Sequence, residues 1–564
     1  MNFYDFEVFK HNWLVVIINM FEKKQTIIVD NPDELKDYYD KHKDEIWIGY
    51  NSRGYDQYIL KGILAGFNPK EINDHIIVKG LGGWSFSSLL RNFPLNNYDV
   101  MTTMHGLKQL EGFMGNNIKE TGVPFDIDRK LTEDEIQETI KYCVHDVEQT
   151  IEVFMQRQEE FEAHMGLIKM FNLPLIYIGK TKPQLSAIIL DCDRKERNDE
   201  FELQIADCIE IKKYKEVYNF YKSKDNMDYS KELNIDIAGV PHVFGWGGLH
   251  GALDQYSGEG YFLNVDVASF YPSLMIEYDF LSRNVSEPKK FKEIYDSRLK
   301  YKAEKNPLQA PLKIVLNSTY GAMKDKYNNL YDPRQANNVC VNGQLMLLML
   351  IEMLEPYCDI IQTNTDGILI KLRKYEDYDL IDDICYKWEQ KTKMKLEFDL
   401  FKKIYQGDVN NYILVDFDGN IKAKGGYVKK LKALDYDLPI INKALVNYLI
   451  NDIRVEETIN NCTELKEFQK IVKVSGKYLR GWHNNQFLID KTFRVFASKN
   501  KKDTFIGKQK SEGATIEKFA STPDNCFILN DDINNKKIPN NVDKQWYIDL
   551  AKKRLIEKFG VKHD

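Results

Sequence analysis

Asp266-Val-Ala-Ser-Phe-Tyr-Pro-Ser273 and Asn364-Thr-Asp-Gly367 are the stretches on which the reading of this chain turns. The first ends a β-rich run from Tyr261 and delivers a carboxylate before a turn closed by Pro272. The second is the tight turn of a hairpin written IIQTNTDGILIKL. If the two strands are neighbours, Asp266 and Asp366 can share two divalent ions roughly 3.5–4 Å apart. Between them, Lys313, Asn317 and Tyr320 recur near helical spacing and share a face, and Gly321 leaves room for close backbone approach. Arg298 and Lys302, at i and i+4, add two cations. Together these form a basic cradle for a triphosphate opposite a metal-binding floor.

A second group of carboxylates lies at the other end of the chain. Asp5 and Glu7 are two apart in a strand and leave one face, while Tyr4 and Phe6 face the other way. Asp56 closes Asn51-Ser-Arg-Gly-Tyr55-Asp56 at a strand–helix junction. Tyr142 and Asp146 are spaced i, i+4 in a helix that opens at Thr132 with a Thr-Glu-Asp-Glu capping pattern. Carboxylates on an otherwise apolar strand are expensive to bury unless they bind a cation. Four of them from three elements suit two Mg²⁺ or Mn²⁺ ions, which take oxygen ligands.

In order, D-x-E, N-x-x-x-Y-D and Y-x-x-x-D resemble the three exonuclease motifs of DnaQ-like 3′–5′ proofreading domains. The later stretches resemble motifs A, B and C of the family B DNA polymerases. The likeness covers about residues 1–440, and the compact layout resembles a bacteriophage enzyme. It implies a mixed α/β, multidomain fold: an RNase H-like exonuclease domain, then a right-hand polymerase. The expected boundaries are exonuclease 1–165, linker and first part of the palm 166–282, fingers 283–324, second part of the palm 325–430, and thumb with an extension 431–564.

The resemblance also implies roles. Asp5, Glu7, Asp56 and Asp146 hold metal, Tyr142 orients the attacking water, and Asn51 and Tyr55 touch a single-stranded 3′ end. Asp266, Asp366 and the carbonyl of Val267 hold the polymerase metals. Tyr271 stacks beneath the deoxyribose, while Arg298, Lys302 and Lys313 hold the triphosphate. Asn317, Tyr320 and Gly321 line the nascent base pair and template. Gly247 and Gly248 approach template phosphates; Tyr412, Lys424 and Gly425 lie at the primer strand. The implied partners are primer–template DNA, dNTPs and phage replication proteins such as a helicase, a primase and a single-strand-binding protein.

Three positions depart from the family pattern. Asn364 stands for an aspartate, keeping an oxygen ligand but losing a charge. Gly245 stands for a tyrosine before the glycine pair, and Asn410 for a lysine before Tyr412. The intervals from Asp266 to Lys313 and from Lys313 to Asp366 leave no room for the insertions of protein-primed phage polymerases, so no terminal-protein primer is expected. Three alternatives stand beside the main reading: an exonuclease whose polymerase half only binds DNA, a non-catalytic replication scaffold, against which the intact Asp5, Glu7, Asp56 and Asp146 set argues, and a protein-primed or primer-independent polymerase.

Composition bounds the rest. The 564 residues carry a net charge of −7, which by itself gives no reason to expect nucleic acid. The distribution does: residues 421–564 hold 28 Lys+Arg against 18 Asp+Glu, and residues 1–420 hold 50 against 67. A basic end on an acidic body points to a polyanion contact, with Lys470–Arg480 and Lys499–Lys510 its densest stretches. The 8 cysteines form no C-x-x-C pair. The start reads as no signal peptide, and the apolar runs Trp13–Met20 and Leu345–Ile351 fall short of the roughly 20 residues a membrane helix needs, so a cytoplasmic protein with no membrane partner is expected.

Overall fold

The first thirty residues form three antiparallel strands, β1 (Asn2–Val8), β2 (Trp13–Asn19) and β3 (Lys24–Val29). Two short strands, β4 (Trp47–Gly49) and β5 (Asn97–Asp99), complete a sheet in the order β3-β2-β1-β4-β5, with β4 parallel to β1 and β5 parallel to β4. The structure is a computed structural model and describes residues 1–561. It divides the chain into two units, and this sheet belongs to the unit formed by Met1–Lys180, Leu431–Ile440 and Glu456–Ile548.

Strand alternation assigns the two faces of β1. Tyr4, Phe6 and Val8 enter a core with Val15, Trp47 and Leu60. Phe3, Asp5 and Glu7 face the helix Glu133–Gln156, where the Phe3 ring meets Phe154 edge-on at 5.2 Å. That helix starts as its sequence predicts: the Thr132 hydroxyl accepts from the Glu135 N–H and the Glu135 carboxylate accepts from the Thr132 N–H. The same unit holds two small sheets from residues 470–528. One pairs Lys470–Lys473, Thr492–Ala497 and Cys526–Ile528; the other is built on Arg480–His483 and Gly507–Gln509. Residues 431–440 and 456–548 belong to this unit.

The other unit comprises Thr181–Lys430, Ile441–Val455 and, of the described residues, 549–561. Its nine strands are β6 (Leu233–Ile237), β7 (Val240–Phe244), β8 (His250–Ala252), β9 (Tyr256–Val267), β10 (Cys358–Asn364), β11 (Gly367–Leu372), β12 (Leu396–Asp408), β13 (Asn411–Asp416) and β14 (Ile421–Lys424). Their order is β14-β13-β12-β9-β11-β10-β8-β7-β6. Asp266 lies opposite Gly367 on β11 and opposite Glu397 on β12, so β9 is an interior strand.

Pro272 does not close the turn after Asp266. Ser269 takes the left-handed conformation (φ 48°), and a helix starts at Phe270 with Pro272 in its first turn, where no helical N–H is lost. The helical run around Pro307 resolves into Pro288–Ala303 and Gln309–Lys324, with Pro311 in the first turn of the second.

Among the described residues one helix, Pro333–Leu354, is long and apolar enough to cross a membrane by length and composition, and 89% of its apolar window is buried inside the protein. Leu345, Leu347 and Leu350 are fully buried there, and the Trp388 indole donates to the Met346 carbonyl at 2.9 Å. Truncating one such leucine to alanine removes about 2–5 kcal/mol. All eight cysteines are free thiols.

Two candidate active sites

Asp5, Glu7, Asp56, Tyr142 and Asp146 converge. Each of the four carboxyls is buried deeply enough, and close enough to the others, to be pushed above its ordinary range. Burial is the main cause at Asp5 and Glu7, with the charges of Asp56 and Asp146 adding to it. Burial raises Asp56 to about 7, although the Phe6 N–H donates to its Oδ1 at 3.2 Å and opposes the shift. Asp146 is raised to about 6 by burial, with Lys108 pulling the other way. Four acids that resist ionisation together form a site short of positive charge, which is the donor set that hard divalent ions fill. The Tyr142 phenol is pushed far up by burial and by Asp146, so it stays protonated at neutral pH.

Two further groups in this site were not read from the sequence. Lys108 and Glu111 lie on the helix Leu107–Met114. The Lys108 ammonium donates to Asp146 and, at 3.1 Å, to the fully buried Glu111, and lies 4.6 Å from the centre of the Tyr142 ring. Asp5, Glu7 and Cys143 bring ligand atoms within 4.8 Å of one another, as do Glu111, His145 and Asp146. The only signal for Lys108 was its i, i+3 spacing from Glu111. Asn51 adopts φ 59° in the turn after β4, five residues before Asp56, and the hydroxyl of Tyr55, the residue before Asp56, donates to Asn73 at 2.8 Å.

In the other unit, Asp266 and Asp366 line one cavity of about 200 Å³. The Val267 N–H donates to the Asp366 carbonyl at 2.7 Å, which ties the β10–β11 turn to the end of β9. Asp266 accepts from the Asn264 amide at 2.6 Å and is raised to about 6, by burial first and the Asp366 charge second. Asn364, Tyr412, Lys422 and Lys424 also line the cavity; Tyr412 and Lys424 are partners across β13 and β14. Gly425 takes φ 99°, and a Cβ there would lie 2.2 Å from the Asn410 carbonyl. Asn264, Lys422 and His250 are additions to the sequence reading. Asn264 was visible as an N-x-D pair on one strand face.

The cations expected to hold a triphosphate are only partly gathered. Arg298 donates to Ser269 at 2.8 Å, and its buried Nε has no hydrogen-bond partner. Lys302 pairs with Glu397 at 3.4 Å on the surface. Lys313, Asn317 and Gly321 are exposed on the helix Gln309–Lys324. The Tyr271 ring meets Tyr320 at 4.5 Å. Gly248 lies against Thr365 of the β10–β11 turn, where a Cβ would come within 2.2 Å of the hydroxyl, while Gly247 faces open space.

No family model matches the chain. DNA polymerase 1 of Saccharolobus solfataricus is 25% identical over 198 residues, which are 34% of this chain and 21% of that protein. The chain resembles the family B DNA polymerases. It matches about a fifth of the length of that relative. The solved family B DNA polymerase of the hyperthermophilic archaeon Pyrobaculum calidifontis aligns over 100% of this chain and 78% of its own, at 12% identity and a TM-score of 0.42. At that score the architecture rests on the sheets described above.

Proposed function

We propose that the chain is a DNA-directed DNA polymerase of family B type that extends a primer 3′ end with dNTPs, and that its other unit carries a 3′–5′ exonuclease. The observation that carries the reading is the register of β9 against β11, which brings Asp266 and the Asp366 turn to one polar cavity.

Asp266, Asp366 and the Val267 carbonyl would hold the metal ions of synthesis, Mg²⁺ or Mn²⁺. Asp5, Glu7, Asp56 and Asp146 would hold those of hydrolysis. Bound there, such ions activate the attacking oxygen and neutralise the leaving one. The chain's own side chains do the rest. Tyr271 would support the sugar and exclude a 2′-hydroxyl. Arg298, Lys302 and Lys313 would bind the triphosphate, and Asn317, Tyr320 and Gly321 would face the new base pair. Tyr412, Lys424 and Gly425 would hold the primer, and Gly247 and Gly248 the template. In the other unit the protonated Tyr142 can donate a hydrogen bond to water at the scissile phosphate, with Asn51 and Tyr55 at the 3′ end. The five domains expected from sequence, replication of a phage genome from an ordinary primer, and the associated replication partners belong to the same proposal. The basic C-terminal stretches would grip duplex DNA with an affinity that falls as salt rises.

Extension of a labelled primer–template tests this, with Mg²⁺ and with or without dNTPs. The expected result is that the unsubstituted protein extends, Asp366→Ala only degrades, and Asp5→Ala extends without degrading. A protein that only degrades, even with Mn²⁺, would make Asn364 the lesion and leave an exonuclease with a DNA-binding partner unit.

A further inference from the structure

Lys108 is the cation that the exonuclease motifs do not account for. Five carboxylates, those of Asp5, Glu7, Asp56, Asp146 and Glu111, lie in or beside one buried cluster. The Lys108 ammonium lies among them, with 15% of its side chain exposed. It comes from the helix Leu107–Met114 and reaches inward, although a lysine on a helix surface ordinarily carries its charge out to water. Its contacts are Asp146, Glu111 and the face of Tyr142. Asp146 is a metal ligand in the reading above, so the ammonium occupies coordination space that a divalent ion would need.

We propose that Lys108 is a resident counter-ion of this cluster, which neutralises Asp146 when no metal is bound and competes with divalent ions for it. This rests on the exonuclease reading. Glu111 gives the displaced ammonium a second anchor: with Asp146 engaged by metal, Lys108 keeps an ion pair to a carboxylate that has no exposure of its own. The cluster would therefore never carry its full negative charge, and the metal requirement of the exonuclease would be set by a side chain outside its motifs.

The test is Mn²⁺ titration of the full chain by calorimetry, in an Asp266→Asn, Asp366→Asn background that silences the other candidate site, together with melting in EDTA. Lys108→Met keeps the length of the side chain and removes its charge. The expected result is Mn²⁺ binding at least tenfold tighter than with Lys108 present, a lower melting temperature in EDTA, and a larger rise in melting temperature on adding Mn²⁺. Lys108→Arg, which keeps the charge, should bind Mn²⁺ within a few-fold of the lysine protein. Lys108→Gln serves if the methionine variant does not fold. Equal or weaker Mn²⁺ binding without the lysine overturns the proposal and leaves the exonuclease reading standing. Absence of any Mn²⁺ binding that Asp5→Asn abolishes, with or without Lys108, overturns the exonuclease reading and this proposal with it.

Discussion

A Cβ at position 367 would lie 1.9 Å from the Oδ1 of Asp266. Gly367 faces Asp266 across β9 and β11, and the carboxylate occupies the space that any larger residue needs. The observed position of Asp266 therefore requires a glycine at 367. Gly367→Ala should push the Asp266 carboxylate off its place. A displacement of about 1 Å at a reacting centre can cost roughly 100-fold in rate. Primer extension should fall by that order, while degradation in the absence of dNTPs stays unchanged. Unaltered extension would show that Asp266 swings aside freely and that its observed position is not the working one.

The loop at Gly245–Gly248 is held from three sides. The Gln344 amide donates to the carbonyls of Gly245 at 2.8 Å and Gly247 at 2.9 Å. The Tyr221 hydroxyl reaches Gly245 at 2.9 Å, and the Lys324 ammonium reaches the Trp246 carbonyl at 2.7 Å. Because Gly248 packs on Thr365, these bonds also fix the turn that carries Asp366. Gln344→Leu removes the bonds to both carbonyls, at about 0.5–1.5 kcal/mol each, although Gly245 keeps the Tyr221 hydroxyl. It should weaken primer–template binding, measured by fluorescence anisotropy, and lower the melting temperature.

Much of this was legible because local chemistry and fold agree. The strands β1 to β3 are short β-rich runs separated by polar turns, and the helix Glu133–Gln156 opens on a capping box. The β10–β11 hairpin showed its turn residues. The 13-residue strand β12, which places Glu397 beside Asp266, went unread: Leu396-Glu-Phe-Asp-Leu400 alternates, but the register shifts at Phe401–Lys403 and breaks the period. The strands β6 to β8 are too short, and too near glycine, to signal themselves. Lys108 went unread for another reason: its i, i+3 spacing from Glu111 does not say that a helical lysine points inward.

A pH dependence follows from Asp56. Its carboxyl is raised from an ordinary 3.8 to about 7 by burial. The folded protein then binds a proton that the unfolded chain releases, so between about pH 4 and pH 7 this group makes stability fall as pH rises. Asn keeps an oxygen for the Phe6 N–H and carries no charge. In EDTA, Asp56→Asn should match the unsubstituted protein near pH 4 and exceed it by on the order of 4 kcal/mol above pH 7. Urea melts at several pH values measure the difference. Adding Mn²⁺ at pH 7.5 should reverse the ranking, because only the carboxylate gains from the ion. A constant difference across pH would place the Asp56 titration outside this window.

Arg494 ties the C-terminal sheets to the helix that carries Lys108. It is fully buried and donates to the carbonyls of Gly112 at 3.2 Å, Asn116 at 2.6 Å, Leu529 at 3.3 Å and Asp531 at 2.6 Å, and to the side chain of Gln469 at 3.1 Å. Gly112 is 382 residues away in sequence, so only the fold brings these groups together. Burial lowers the guanidinium to about 10, which leaves it charged at neutral pH. Arg494→Met fills much of the same space but removes the donor of all five bonds, although the Gly112 carbonyl still accepts from the Gly115 N–H. The loss should be about 3 kcal/mol or more. The helix Leu107–Met114 would then be anchored on one side only. Exonuclease activity should therefore fall at temperatures where primer extension persists. Equal thermal loss of both activities would show that Arg494 supports the whole chain rather than the exonuclease unit.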